Sequence, residues 1–340
     1  MHDDHPHDDD HPHDHDHDPG HGGHGHSHGG IVIDQALEDS RQGIRALKIS
    51  LAGLAVTAVL QLVVAAVSGS VALLGDSLHN VADALTALPL WLAFSLGRRQ
   101  ANRRFTYGYG RAEDIAGIFV VLTIAASGVV AAWEGIDRLR HPRDVEHIVW
   151  VMVAAVIGMV GNEAVALYRI RTGRKIGSAS LVADGLHARS DGLTSLAVLI
   201  GAIGVAAGWE WADPVVGLAI SVAILVVLVQ AAKGVGERLM DAVDPTLVAR
   251  AEAVASTCSG VQEVTELRMR WLGHRLQAEV RMTVDRDLDV ATAHDIGDVV
   301  QRGLMEEFPL LSGVIVHVNP CDHHVRAVAH AEPAEHHPHH

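Results

Sequence analysis

The chain has 340 residues, 49% hydrophobic but only 4% aromatic, with 25 histidines and a formal net charge of -15. That charge excludes the basic footprint of a nucleic-acid binder, and two cysteines, Cys258 and Cys321, are too few for a disulfide framework or a cysteine-rich zinc module. Eleven histidines and eight aspartates crowd into residues 1–30 and seven more histidines into the last twenty, so only seven are spread over the positions between.

Residues 1–30 carry almost no apolar side chain and cannot fold by burial, so 1–33 is expected to be a disordered cytoplasmic arm. Its imidazoles and carboxylates suit loose metal capture, the alternative being a solvated low-complexity tail. It lacks the basic start and apolar run of a secretory signal. Residues 34–48 read as a short polar helix. Six apolar stretches follow, at Ile49–Val67, Val71–Leu96, Ile115–Trp133, Ile148–Tyr168, Ser180–Ala207 and Ala212–Ala232. Each reaches the roughly 20 residues that cross a bilayer as a helix. In hydrocarbon each must be helical, because its backbone has no other local partner. The expected membrane domain is an all-α bundle of six transmembrane helices over residues 45–235.

Arginines set the orientation. Arg98, Arg99, Arg103, Arg104 and Arg111 separate the second and third stretches; Arg169, Arg171, Arg174 and Lys175 separate the fourth and fifth. These nine outweigh Arg138, Arg140 and Arg143 of the loop 135–147, so both basic loops and both termini are expected in the cytoplasm.

From Leu239 the pattern is that of a soluble domain. Pro245–Thr257 reads as a helix capped by Asp244. Val261–Trp271 and Arg275–Val284 read as strands around a Gly273-His274 turn, which leaves His274 as a surface residue. Asp289–Glu307 reads as a helix and Val314–Val318 as a short strand. The order α-β-β-α-β predicts a small two-layer α/β domain over 239–321, followed by a disordered His-rich tail, 322–340.

The second and fifth stretches share the pattern D-x-L-H-x-x-x-D-x-L-T, once from Asp76 to Thr86 and once from Asp184 to Thr194. Side chains four apart on a helix share a face. His79 therefore pairs with Asp83, and His187 with Asp191. Two such helices facing each other supply two imidazoles and two carboxylates, the donor number and type of a tetrahedral Zn²⁺. Buried charge favours that count, since two aspartates and one divalent cation sum to zero. Asp76 and Asp184 are then expected to line the entrance or to hold a histidine tautomer. Asn162 and Glu163 could line the same pathway or its cytoplasmic mouth. Two His with two Asp favour Zn²⁺ as the bound ion and leave Co²⁺, Ni²⁺, Cd²⁺ and Fe²⁺ open.

With these residues the sequence resembles the cation diffusion facilitator family, the zinc-type metal/proton antiporters. The resemblance rests on the six stretches, the two His/Asp pairs, the segment Tyr107-Gly-Tyr-Gly-Arg-Ala-Glu113, the α/β domain and the His-rich arm, and covers residues 45–321. It implies a homodimer whose C-terminal domain has a metallochaperone-like fold and a regulatory or dimerisation role. It implies export of divalent metal from the cytoplasm in exchange for protons, by alternating access across the plasma (inner) membrane. Many members carry a histidine before the third span, where this chain has Tyr107 and Tyr109. His294 and His317 stand where the resemblance implies a regulatory metal site, with Thr265 and Glu279 at the places of other ligands.

Proton coupling also follows from the donors, because imidazole binds metal only when neutral and metal binding releases protons. No G-x-x-x-x-G-K-[ST] loop is present, so no nucleotide partner is expected. An enzyme of the intramembrane metalloprotease kind would need H-E-x-x-H, but Asn80 follows His79 and Ala188 follows His187. A membrane metal buffer or sensor that does not transport is the remaining rival.

Overall fold

The computed structural model describes residues 28–68, 87–140, 147–209 and 212–321. Helix α1 (His28–Ser68) is a single element of 41 residues. The expected polar helix and first span are thus continuous, and α1 takes in the last residues assigned to the arm. The change near residue 49 is one of composition, not of backbone. Helix α2 (Ala87–Gly97) is the end of the second stretch. It is followed by α3 (Arg111–Arg140), α4 (Ile148–Ile176), α5 (Ala179–Ala206) and α6 (Ala212–Leu239).

Among the described residues five segments, Glu38–Ser68, Arg111–Glu134, Ile148–Ile176, Ala179–Ala206 and Val215–Leu239, are long and apolar enough to cross a membrane. In none of them is more than 33% of the apolar window buried inside the chain, and for Val215–Leu239, of mean hydropathy 2.7, the share is 17%. Helices this apolar with this much open surface are solvated by lipid.

Helix α4 runs eight residues beyond Tyr168, so Arg169, Arg171, Arg174 and Lys175 are helical rather than loop residues. Arg169 is buried to 2% exposure and leaves the cytoplasmic tally. Eight basic residues against three still give the same orientation. The α4–α5 turn is very short. Gly177, at φ 72°, donates to the Arg174 carbonyl, and Ser178 N–H donates to Gly173 O at 2.8 Å. This pair of bonds is a Schellman stop, which requires a left-handed residue that glycine supplies without strain. Ser178 then caps α5 by accepting from Leu181 N–H at 3.0 Å. The two helices pack closely because small residues face the contact. A Cβ on Gly173 would meet Val182 at 2.9 Å, and one on Gly185 would meet Ile170 at 2.7 Å.

The C-terminal domain has the expected order: α7 (Pro245–Thr257), β1 (Glu263–Leu272), β2 (Arg275–Val284), α8 (Val290–Glu307) and β3 (Leu311–Pro320). Asp244 caps α7, and Asp289 caps α8; hydrogen bonds from Thr246 and from Thr292 hold these two carboxyls below their ordinary range. The sheet order is β1-β2-β3, with β1 antiparallel and β3 parallel to β2. The parallel pair needs a long crossover, which α8 provides. Central β2 buries alternate residues, Leu276, Ala278, Val280, Met282 and Val284, against Ala251, Ala255, Val300 and Leu304 of the helices.

The β1–β2 hairpin docks on the ends of the membrane helices, and here the structure corrects the sequence. His274 is 6% exposed. Its Nδ1 lies 2.7 Å from Glu113 Oε2 of α3 and its Nε2 lies 3.2 Å from Ser40 Oγ of α1. Phe94 of α2 stacks on its ring at 5.7 Å between centroids. Nearby, Arg238 at the end of α6 lies over the Trp271 ring at 3.7 Å and donates to Gly177 O at 2.9 Å. The turn residue is thus an anchor, and its burial is satisfied by hydrogen bonds to two different membrane helices.

Candidate metal centre in the membrane domain

Helix α5 brings His187 and Asp191 together as their spacing requires, with Nδ1 of His187 at 3.8 Å from Oδ1 of Asp191. The imidazole is 2% exposed and the carboxylate 14%. Ser190 Oγ donates to the His187 carbonyl at 2.7 Å, and Thr194 Oγ1 donates to the Ser190 carbonyl at 3.1 Å. Both hydroxyls are therefore satisfied along the helix itself. The matching residues of the second stretch, Asp76, His79 and Asp83, lie outside the described residues.

Three polar residues near the pair take roles that the sequence did not single out. Asp184 is fully buried, and its Oδ2 lies 3.0 Å from Nη1 of Arg169 on α4. Among the described residues it hydrogen-bonds no histidine, and a protein cation neutralises it. Glu163 bonds Arg189 across the same helix pair, at 2.8 and 3.2 Å, with both side chains partly exposed. Asn162 is 4% exposed and packs opposite Gly192, whose Cβ would stand 3.4 Å from its own. Arg169 had a signal in the sequence: it continues the line of Asn162, Val165 and Ala166 toward Gly173 at helical spacing, on the face that buries small residues.

This pairing simplifies the charge of α5. Asp184 and Glu163 each have an arginine, and Asp191 lies beside the imidazole of His187. A cavity of about 280 Å³ between α5 and α6 runs from Gly177 at the turn to Leu186, next in sequence to His187.

In the C-terminal domain His294 is exposed and lies 3.9 Å from Asp298 on the same helix, and His317 is exposed on β3. Among the described residues no group of three or more His, Cys, Asp or Glu side chains is placed to hold a metal ion. His294 and His317 are thus not part of such a group among the described residues, and Glu279 is exposed on β2.

A bundle of lipid-exposed helices with a histidine–aspartate pair inside one span, joined to a small α/β domain, defines a multi-pass membrane protein. Comparison with known families agrees: the Cation efflux transmembrane domain matches residues 47–240, and the Cation efflux protein, cytoplasmic domain, matches residues 243–321. The chain belongs to this cation efflux family, the cation diffusion facilitators, as its motifs implied. It is 52% identical over 299 residues to the Mycobacterium tuberculosis protein named "Probable cation efflux system protein Rv2025c", covering 88% of this chain and 90% of that one. It is 26% identical to the Manganese efflux system protein MneP of Bacillus subtilis, over 75% of this chain and 88% of that protein. The solved C-terminal domain of MamM in its nickel form is 24% identical, covering 23% of this chain and 100% of that domain, with a TM-score of 0.23. The chain is therefore a multi-pass membrane protein for efflux of divalent metal cations, carrying a dimerisation domain on its cytoplasmic side.

Proposed function

We propose that the chain exports Zn²⁺ from the cytoplasm in exchange for protons, with His79, Asp83, His187 and Asp191 as the four ligands. The observation that carries this reading is the His187–Asp191 pair, one helical turn apart inside a membrane span, while the neighbouring acids already have arginine partners. A borderline cation with no geometric preference suits two imidazoles and two carboxylates. Facing the cytoplasm, metal displaces protons from the imidazoles; facing outward, protons displace metal. Exchange of this kind drives export without nucleotide. The chain works as a homodimer in the plasma membrane with both termini inside, and its His-rich arm gathers metal at the cytoplasmic mouth. The name of the manganese efflux relative keeps Mn²⁺ beside Co²⁺, Ni²⁺, Cd²⁺ and Fe²⁺ as alternative cargo.

The test is flux into proteoliposomes under an imposed proton gradient, with each divalent metal in turn. Zn²⁺ uptake that rises with the gradient, accompanied by proton release, is expected. Gradient-independent uptake would remove the antiport mechanism, and a clear preference for Mn²⁺ would remove zinc as the cargo. No uptake of any metal would favour a membrane metal buffer.

A further inference from the structure

A cavity of about 400 Å³ opens where α2 ends, α3 begins and the β1–β2 hairpin docks. Arg98 and Arg99 reach it from the end of α2, Arg275 from the start of β2, and Tyr107 and Tyr109 from the loop before α3. Among the described residues none of the three guanidinium groups has a hydrogen-bond or ion-pair partner. Glu113 also lines the wall, but its carboxylate is held by His274 at 2.7 Å. Asp39 is the other acid near Arg275; burial lowers the Arg275 pKa more than Asp39 and Glu113 raise it. Three cations thus meet at one concave site where only Arg275 has acids near it, a surplus of positive charge that suits an anion from outside the chain.

Location narrows the anion. The apolar helix α2 stops at Gly97 and the arginines follow at once, so the cavity lies at the cytoplasmic membrane surface, beneath the cytoplasmic domain. Leu88, Trp91 and Leu92 form an open apolar strip on α2 at helical spacing, leading up to it. Guanidinium forks match phosphate oxygens in pairs, and the volume is that of a small-ligand pocket. We propose that this cavity binds the phosphate of an anionic phospholipid headgroup from the cytoplasmic leaflet, with an acyl chain along the open strip of α2. Basic pockets between helices on the cytoplasmic side take such headgroups, and tyrosine is at home at that depth. Inorganic phosphate offers the same oxygens but nothing for the strip. Because the walls come from both domains, the lipid fastens the hairpin to the membrane helices.

The full chain in detergent is titrated with short-chain phosphatidylglycerol, with phosphatidylcholine of the same chain length, and with inorganic phosphate, and thermal unfolding is followed. Phosphatidylglycerol is expected to raise the midpoint saturably, and the other two are not. Arg275→Gln and Arg99→Gln should each weaken its apparent affinity about fivefold, the worth of one arginine near an anionic surface. Arg99 is exposed, so its variant folds even where Arg275→Gln does not. Replacing Arg103 and Arg104, which do not line the cavity, should leave the titration unchanged. An equal shift with phosphatidylcholine, an Arg99→Gln titration like the unaltered chain's, or the same loss from the Arg103 and Arg104 variant would each overturn the site. A full saturable shift with inorganic phosphate alone would overturn the lipid as its occupant.

Discussion

Helix α5 carries two aspartates seven residues apart, Asp184 and Asp191, and the protein treats them differently. Asp184 sits at 0% exposure against the guanidinium of Arg169, also buried. Asp191 keeps slight exposure and has an imidazole one turn away. Two buried carboxylates in one span would be costly if both lacked a cation. The first has a permanent one from α4, and the second lies beside the imidazole of His187. Matching motif letters therefore do not imply matching surroundings: one aspartate of this motif faces an arginine and the other a histidine.

The sharpest way to break this comparison is Asp191→Ala. Metal-driven flux in proteoliposomes should fall to that of empty vesicles, with the thermal midpoint unchanged or raised because a charge has left the membrane. Retained flux would return Asp191 to a structural role. Next in size is Arg169→Leu, which strands the Asp184 carboxylate and should cost about 3–5 kcal/mol of stability. The double change with Asp184→Leu should restore most of that loss, read from thermal unfolding of the purified protein. His274→Ala is expected to cost about 1–3 kcal/mol, because Glu113 loses its buried partner. Faster hydrogen exchange in the β1–β2 hairpin and the first turn of α3 would report it. The smallest effect belongs to Glu163→Gln, whose partly exposed pair with Arg189 is worth at most about 1 kcal/mol, so stability and flux should both stay close to those of the unaltered chain. A collapse of flux there would place Glu163 on the ion's path.

Hydropathy and helical spacing made much of the molecule legible. The limits of α7, its Asp244 cap and the His187–Asp191 register were all readable from local sequence, because a cap and an i, i+4 pair are local interactions. The spacing of Arg169 from Asn162 marked its face but not its role, because a charged residue ends an apolar run without ending a helix, and its partner lies on the next element. His274 was hidden for a related reason. A Gly-His turn between two strands looks solvated, but its partners Glu113 and Ser40 are 161 and 234 residues away along the chain. Long-range pairing of polar groups leaves no periodic trace in the sequence.

The stop at Gly177 has a mechanical consequence. With Ser178 alone between it and α5, the turn has no slack, and Arg169 meets Asp184 close behind it. Sliding α5 against α4 by one turn, about 5.4 Å, would break that ion pair in a medium with no water to replace it. A one-turn displacement of α5 would therefore either break this pair or take α4 along. In that sense α4 and α5 form one two-helix hairpin, pinned by the Arg169–Asp184 pair.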